Sequence, residues 1–215
     1  SIQTLITNVT GHFAYFAEEI MKRDYAAAMT FFVFIIFFLF GAFISNFLSE
    51  LVSKKHPNLH HVIPISIEIT ILIGVAIFGV QTELGSNEGK WVASSMLFAM
   101  GMQNALVTKI SKSTVRTTHL TGLFTDLGIE LSQLFFYKKP EERKRLKKSI
   151  YLRLSIIAFF FIGCISGGFI YNALQLKTLF VAATFLLIAL LYDYIRLSFF
   201  VIKRKAIFKK AILNK

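Results

Sequence analysis

Three charge-free apolar stretches constrain this chain more than any other feature. They run for 25 residues from Tyr25 to Ser49, for 23 from Leu154 to Leu176 and for 18 from Trp91 to Thr108. A helix of about 20 apolar residues crosses the roughly 30 Å hydrocarbon core of a bilayer. Helices and closed barrels alone satisfy the backbone polar groups in lipid, and these stretches lack the alternation of barrel strands. The sequence therefore predicts an all-α, polytopic transmembrane helix bundle.

The charge distribution separates this interpretation from nucleic-acid binding. The net charge is +12, but only 17% of the residues are charged, against about 25% in a soluble domain. The basic clusters lie between the apolar stretches, as they do in the cytoplasmic loops of membrane proteins. We therefore expect the lipid bilayer as a partner and no nucleic acid.

The apolar pattern places helices along most of the chain, with a solvated basic linker at Lys138–Lys148 and a short basic amphipathic helix at Lys203–Lys215. The predicted helices are Val9–Met21, Tyr25–Leu51, Val62–Val80, Trp91–Ile110, Thr118–Tyr137, Ser149–Tyr171 and Thr178–Ile202.

The basic residues also predict an orientation. If the linker is cytoplasmic and every helix crosses once, eighteen basic residues lie on the linker's side and six on the other. Because Lys and Arg concentrate in cytoplasmic loops, the C-terminus is expected in the cytoplasm. Lys54 and Lys55 would then lie outside, against the trend.

A self-match at an offset of 111 residues indicates an internal repeat. Thr7–Glu19 aligns with Thr118–Glu130, and after an 11-residue insertion Gly41–Phe47 aligns with Gly163–Phe169. Identical pairs include Thr10 with Thr121, Gly11 with Gly122 and Glu19 with Glu130.

The repeat divides the chain into a first half over residues 1–90, a second half over 91–202 and the tail over 203–215. The second half begins with the helix at Trp91–Ile110, and we expect its first-half counterpart upstream of Ser1. Four helices per half would give both halves one orientation. The expectation is an internal parallel duplication, with its pseudo-twofold axis along the membrane normal.

Two segments resemble a known family. FAMGMQNALVTKISKSTVRTTHLTGLFTDLGIEL (Phe98–Leu131) is similar to the signature stretch of the YoaK-like family of bacterial integral membrane proteins. TNVTGHFAYFAEE (Thr7–Glu19) resembles that family's N-terminal signature, and the resemblance extends over nearly the whole chain. It implies a multi-pass fold in the bacterial cytoplasmic (inner) membrane and a helix before the first Thr-Gly pair. It implies no particular biochemical activity.

The repeated Thr-Gly pairs, Thr10-Gly11 and Thr121-Gly122, stand at the start of apolar segments. One interpretation is a broken helix whose free N–H groups face a substrate or an ion within the membrane, as in transporters built from repeats. The alternative is that Thr caps the helix and Gly allows a neighbour to pack closely. The sequence leaves both open.

Three acidic residues in apolar surroundings are candidates for a proton or cation path: Glu68, Asp126 and Glu130. Asp126 and Glu130 are four residues apart and so share a helix face. Charged groups inside a membrane are costly and usually face the bundle interior. For Glu68 the alternative is a hydrogen bond between helices, and for Glu130 it is a place at the membrane interface.

Small residues at four-residue spacing, Gly41 with Ser45 and Gly163 with Gly167, predict close helix packing. No motif of an enzyme is present, and His56, His60 and His61 resemble only one of the several histidine boxes that membrane di-iron enzymes need. We therefore expect no enzyme activity, no metal and no cofactor.

Two functions follow from these features. The first is a small secondary transporter or channel with its site at the repeat interface. The second is a non-transporting accessory or scaffold subunit, whose Phe-rich faces would pack in a homo-oligomer or a larger membrane complex.

Overall fold

A computed structural model describes residues 8–55, 59–79, 87–111 and 119–213, with side chains as far as Arg196. These residues form α-helices, one 3-10 turn at Gln175–Lys177, and short connections. The helices are α1 (Val9–Met21), α2 (Tyr25–Ser53), α3 (Val62–Phe78), α4 (Asn87–Ile110), α5 (Leu120–Phe136), α6 (Pro140–Leu174) and α7 (Thr178–Leu213). The all-α prediction is confirmed.

The basic run Lys138–Lys148 was predicted as a linker, and most of it is helix instead. Helix α6 begins at Pro140 and continues without a break for 35 residues. Proline at the first helical position has the φ angle a helix needs and loses no hydrogen bond there. Glu141 and Glu142 follow in the first turn, where acidic side chains favour the positive end of the helix dipole. The run after them consists of Lys, Arg and Leu, which are strong helix formers.

Helices α2 and α4 form the tightest contact, and they run parallel. Gly41 and Gly101 face the opposite helix so closely that a Cβ on either would overlap a backbone carbonyl oxygen, that of Phe98 or Phe38 respectively. Nearer the helix ends, Lys109 Nζ lies 2.8 Å from Glu50 Oε1. Small residues let two backbones approach in this way.

Helix α3 runs antiparallel to α4 and to α7. At its start, His61 Nε2 lies 2.9 Å from Asp193 Oδ2, which is well along α7. At its end, a Cβ on Gly79 would lie 3.0 Å from Leu176, just before α7 begins. Between these points Leu72 and Val75 pack with Met96 of α4 and with Ala183 of α7.

The predicted parallel duplication is not shown by these helix directions. Rotation about an axis along the helices preserves helix direction, so it cannot relate α3 to α7. The chain also leaves α4 at the His61 end of the bundle and enters α7 at the opposite end. Helices α5 and α6 therefore together carry the chain from one end of the bundle to the other. The sequence-based orientation assumed that each of them passes from one end to the other.

The α5–α6 hairpin stands apart from the rest. Helix α5 packs against α6, and neither packs extensively against α1, α2 or α4 within the described ranges. Ile150 is the buried residue of α6, whereas Phe159 and Phe169 are exposed. No neighbouring atom lies within 4 Å of a Cβ placed on Gly163 or Gly167, so the close packing predicted there has no counterpart in the described residues.

Two stretches of the described chain are long and apolar enough to cross a membrane. Tyr25–Ser53 has a mean hydropathy of 2.6, and Pro140–Arg196, which joins α6 to α7 through the 3-10 turn, has one of 2.1. Val62–Phe78 is apolar but shorter. The most apolar window of the second stretch has none of its residues buried inside the bundle. Exposed apolar surface of this extent is typical of a contact with a membrane or with another protein.

Candidate functional site

Helix α1 begins partway along α2. The two run antiparallel, and His12 of α1 packs against Phe31 and Phe34, with ring centroids 6.0 and 5.6 Å apart. Phe34 is about 14 Å from the start of α2, and Asn8 lies one turn beyond His12. The N-terminus of α1 is therefore about 19 Å along a helix that is about 43 Å long.

The glycines of both Thr-Gly pairs lie under the residue that caps their helix. Asn8 caps α1, and its Oδ1 accepts a 2.9 Å hydrogen bond from the Gly11 backbone N–H. His119 precedes α5, and a Cβ on Gly122 would overlap its ring. Thr10 and Thr121 are exposed. In each pair the glycine lies beneath a side chain folded over the first turn, and that side chain would have to shift to admit a Cβ.

Asp126 and Glu130 bind one arginine. Arg153 of α6 donates from Nη1 to Asp126 Oδ2 at 2.9 Å and from Nε to Glu130 Oε2 at 3.0 Å. Ser149 adds a 2.7 Å hydrogen bond to Glu130 Oε1. The Glu130 side chain is 15% exposed and that of Asp126 is 51% exposed. Charge-assisted bonds of this kind are the stronger class of hydrogen bonds, so the two acids hold α5 to α6.

No spacing in the sequence indicates Arg153 as the partner of these acids, although the repeat alignment pairs the positions involved. Tyr15 aligns with Asp126 and Phe31 aligns with Arg153. In the first half Tyr15 stacks on Phe31 with ring centroids 5.3 Å apart. The same pair of positions joins α1 to α2 through aromatic rings and α5 to α6 through an ion pair.

Glu68 is buried on α3, with 3% of its surface exposed. It lies on the same helix face as Leu72, one turn away, and that face packs against α4 and α7. Its carboxylate takes part in none of the hydrogen bonds or ion pairs found among the described residues. A carboxyl group in such surroundings is favoured in its neutral, protonated form.

The predicted site residues are not gathered at one place. Glu68 lies between α3, α4 and α7, whereas Asp126 and Glu130 join the α5–α6 hairpin, which makes no extensive contact with α3. The Thr-Gly pairs are at the starts of two different helices. Of the residues predicted to pack, Gly41 and Ser45 are buried.

Two of the three histidines in the predicted cluster can be placed. His61 pairs with Asp193 and its ring lies 5.5 Å from that of His60. His56 lies outside the described residues. Among those that are described, no group of three His, Cys, Asp or Glu side chains could hold a metal ion.

Comparison with known proteins identifies a family. The family model described as protein of unknown function, DUF1275, matches residues 1–192. No curated protein and no solved structure matches the chain. The resemblance to YoaK-like proteins is consistent with this match. Since the match takes in most of the chain, this protein belongs to the DUF1275 family of proteins of unknown function.

Proposed function

We propose that this protein is a multi-pass protein of the bacterial cytoplasmic membrane that acts as a small proton-coupled secondary transporter or channel. The observation that carries the proposal is Glu68. It is buried on the face of α3 that packs against α4 and α7, and no cation pairs with it among the described residues. Ionisable groups in such positions are expensive to keep, and in membrane proteins they mark ion pathways and proton relays.

The short helices α1 and α5 support the same proposal. Each is antiparallel to the helix that follows it, and each begins partway along that helix. Half-helices that start within the membrane are typical of transporters built from inverted repeats. The opposite directions of α3 and α7 fit an inverted duplication, with a pseudo-twofold axis in the membrane plane. We propose this arrangement in place of the parallel one.

Exchange of Glu68 tests the transport function. In proteoliposomes containing a pH-sensitive dye, Glu68→Gln is expected to lower proton-coupled flux at least about tenfold, since the amide keeps the shape and cannot release a proton. Glu68→Asp should retain part of the flux. The dye reports protons and not the substrate, so any candidate substrate can be tested in the same assay.

Glu50→Gln is the matched control. Its carboxylate is more than half exposed and bonds to Lys109 at the end of α2, so flux should stay unchanged. Flux that is equal in wild type and in Glu68→Gln, with both proteins folded, would contradict the proposal.

A second candidate function is an accessory or scaffold subunit, and the exposed apolar surface of α6 favours it. This helix leaves Phe159, Phe161 and Phe169 uncovered, which suits either lipid or a neighbouring subunit. A partner recovered equally well with wild type and with Glu68→Gln, together with absent proton flux, would support this candidate over the transporter.

The direction of α7 changes the proposed orientation. Lys54 and Lys55 lie near His61, and so at the same end of the bundle as Asp193. The sequence-based orientation placed them opposite the basic tail, whereas we propose that they lie at the same end as the tail. With six basic residues in the tail beyond Ile202, the positive-inside pattern now favours that whole end as cytoplasmic. Lys22, Lys90 and Lys177 lie at the other end.

Cysteine labelling checks this orientation. On a Cys164→Ser background, Lys54→Cys should resist an impermeant thiol reagent in intact cells, and Lys177→Cys should react. A fluorescent protein fused after Lys215 should report the cytoplasm. Ready labelling of Lys54→Cys beside a cytoplasmic fusion would contradict the antiparallel packing of α3 and α7.

A further inference from the structure

A cavity of about 280 Å³ opens between the first turns of α2 and α4. Because these helices are parallel, both of their N-terminal ends border it. The lining differs between its two sides. Helix α2 supplies the mainly apolar side chains Ala26, Met29, Thr30, Val33 and Phe34, and α4 supplies Asn87, Lys90, Trp91 and Ser94.

The polar groups on α4 are available to a ligand. Lys90 forms none of the ion pairs found among the described residues. Ser94 lies one turn further along on the same face. It is 3% exposed, and its hydroxyl makes none of the hydrogen bonds formed within the described part of the chain. By contrast, the hydroxyl of Thr30 already donates to the Ala26 carbonyl at 3.1 Å.

Among the residues that the structure describes, no carboxylate lines the cavity. Glu18 and Glu19, at the same end of the bundle, are both held by Lys22, whose pKa they raise by hydrogen bonding. Asp24 accepts a hydrogen bond from the Ala27 N–H at the start of α2. Glu88 is two residues from Lys90, and such residues point to different faces of a helix. The charge at the cavity is therefore positive.

We propose that this cavity binds the headgroup of an anionic phospholipid. The phosphate accepts hydrogen bonds from the Lys90 ammonium and the Ser94 hydroxyl, and an acyl chain follows Met29, Val33 and Phe34 along α2. Trp91 borders the cavity and is 66% exposed. Tryptophan is enriched where protein meets the headgroup level of a bilayer. The inference rests on the proposed placement in a membrane.

Trp91 makes the test direct, because it is the single tryptophan of the chain. The protein is reconstituted in phosphatidylcholine vesicles that contain a small fixed fraction of lipid with brominated acyl chains, which quench nearby tryptophan. The brominated lipid is either phosphatidylglycerol or phosphatidylcholine. We expect phosphatidylglycerol to occupy the site about fivefold more than phosphatidylcholine, as one lysine near a headgroup provides.

Substitutions test which residues provide the preference for phosphatidylglycerol over phosphatidylcholine. Lys90→Gln is expected to remove the preference, and Ser94→Ala to reduce it. Lys177→Gln, which removes a lysine at the same end of the bundle but outside the cavity, is the matched control and should retain it. Circular dichroism confirms that each variant is helical.

The possible outcomes separate the lipid site from the membrane placement. Quenching by neither lipid would overturn the membrane placement and the site together. Equal quenching by both lipids in wild type would overturn the lipid site alone, as would a preference that survives Lys90→Gln. A preference abolished by inorganic phosphate at constant ionic strength would assign the cavity to a free anion and overturn the lipid proposal.

Discussion

Gly101→Ala is expected to lower the stability of the fold strongly, although it adds a single methyl group. A Cβ at this position would overlap the backbone carbonyl of Phe38, and backbone cannot turn aside as a flexible side chain can. The two helices would have to separate, which also loosens the contact at Gly41. Overpacking of a core costs about 1–3 kcal/mol and occasionally more. Because the obstacle here is backbone, we expect the upper end of that range. Thermal unfolding of purified protein in detergent measures the loss.

Gly163→Ala is the matched control, since Gly163 aligns with Gly41 in the internal repeat and has open space around its Cα. Alanine stabilises an open helical position by roughly 0.5–1 kcal/mol relative to glycine. The midpoint temperature of thermal unfolding should therefore stay unchanged or rise. If both substitutions lower the midpoint equally, α6 is packed against something as tightly as α2 is against α4, and the openness of its small-residue face would be refuted.

Arg153→Met is expected to separate α5 from α6. The variant keeps an unbranched apolar stem, shorter than that of arginine, and leaves Asp126 and Glu130 without a cation; Glu130 is largely buried. Breaking a buried ion pair from one side costs about 3–5 kcal/mol. The arginine is partly exposed, so we expect about 2–3 kcal/mol after screening by solvent. Limited proteolysis between Phe136 and Pro140, compared with wild type, reports the opening.

A charge-neutral triple variant provides the control for this prediction. Arg153→Met combined with Asp126→Asn and Glu130→Gln removes the unpaired charges, and it should recover most of the lost stability because no buried charge remains without a partner. A triple variant as unstable as Arg153→Met alone would indicate that Arg153 acts through its packing against α5.

The apolar helices could be predicted from sequence because their signal is local. The predicted bounds of α1 match the observed ones, and those of α2 and α3 differ by two residues at the end. A long run of residues without charge, with a polar residue at each boundary, suffices for such predictions. Gly41 was singled out for the same reason, since its four-residue spacing from Ser45 is visible in the sequence.

The direction of the helices could not be predicted in this way. The sequence-based count of basic residues on each side assumed that every helix crosses once. Helix length does not test this assumption, because α5 and α3 both have 17 residues. Its partner Arg153 lies 27 residues from Asp126, and no spacing rule joins positions that far apart. The basic run of α6 was misjudged because charge density indicates solvent exposure, and exposure does not exclude helix.

The interlocked glycines also set the order in which the chain can assemble. Gly41 meets Phe98, which is synthesised 57 residues later. At about 5–20 residues per second, a ribosome needs roughly 3–11 seconds to supply that partner. During this interval α2 and then α3 are complete while the face of α2 around Gly41 lacks the partner that covers it in the folded protein. The close contact between α2 and α4 therefore forms only after α4 has been synthesised. A pause in translation between the two helices would prolong the time in which α2 can pair wrongly.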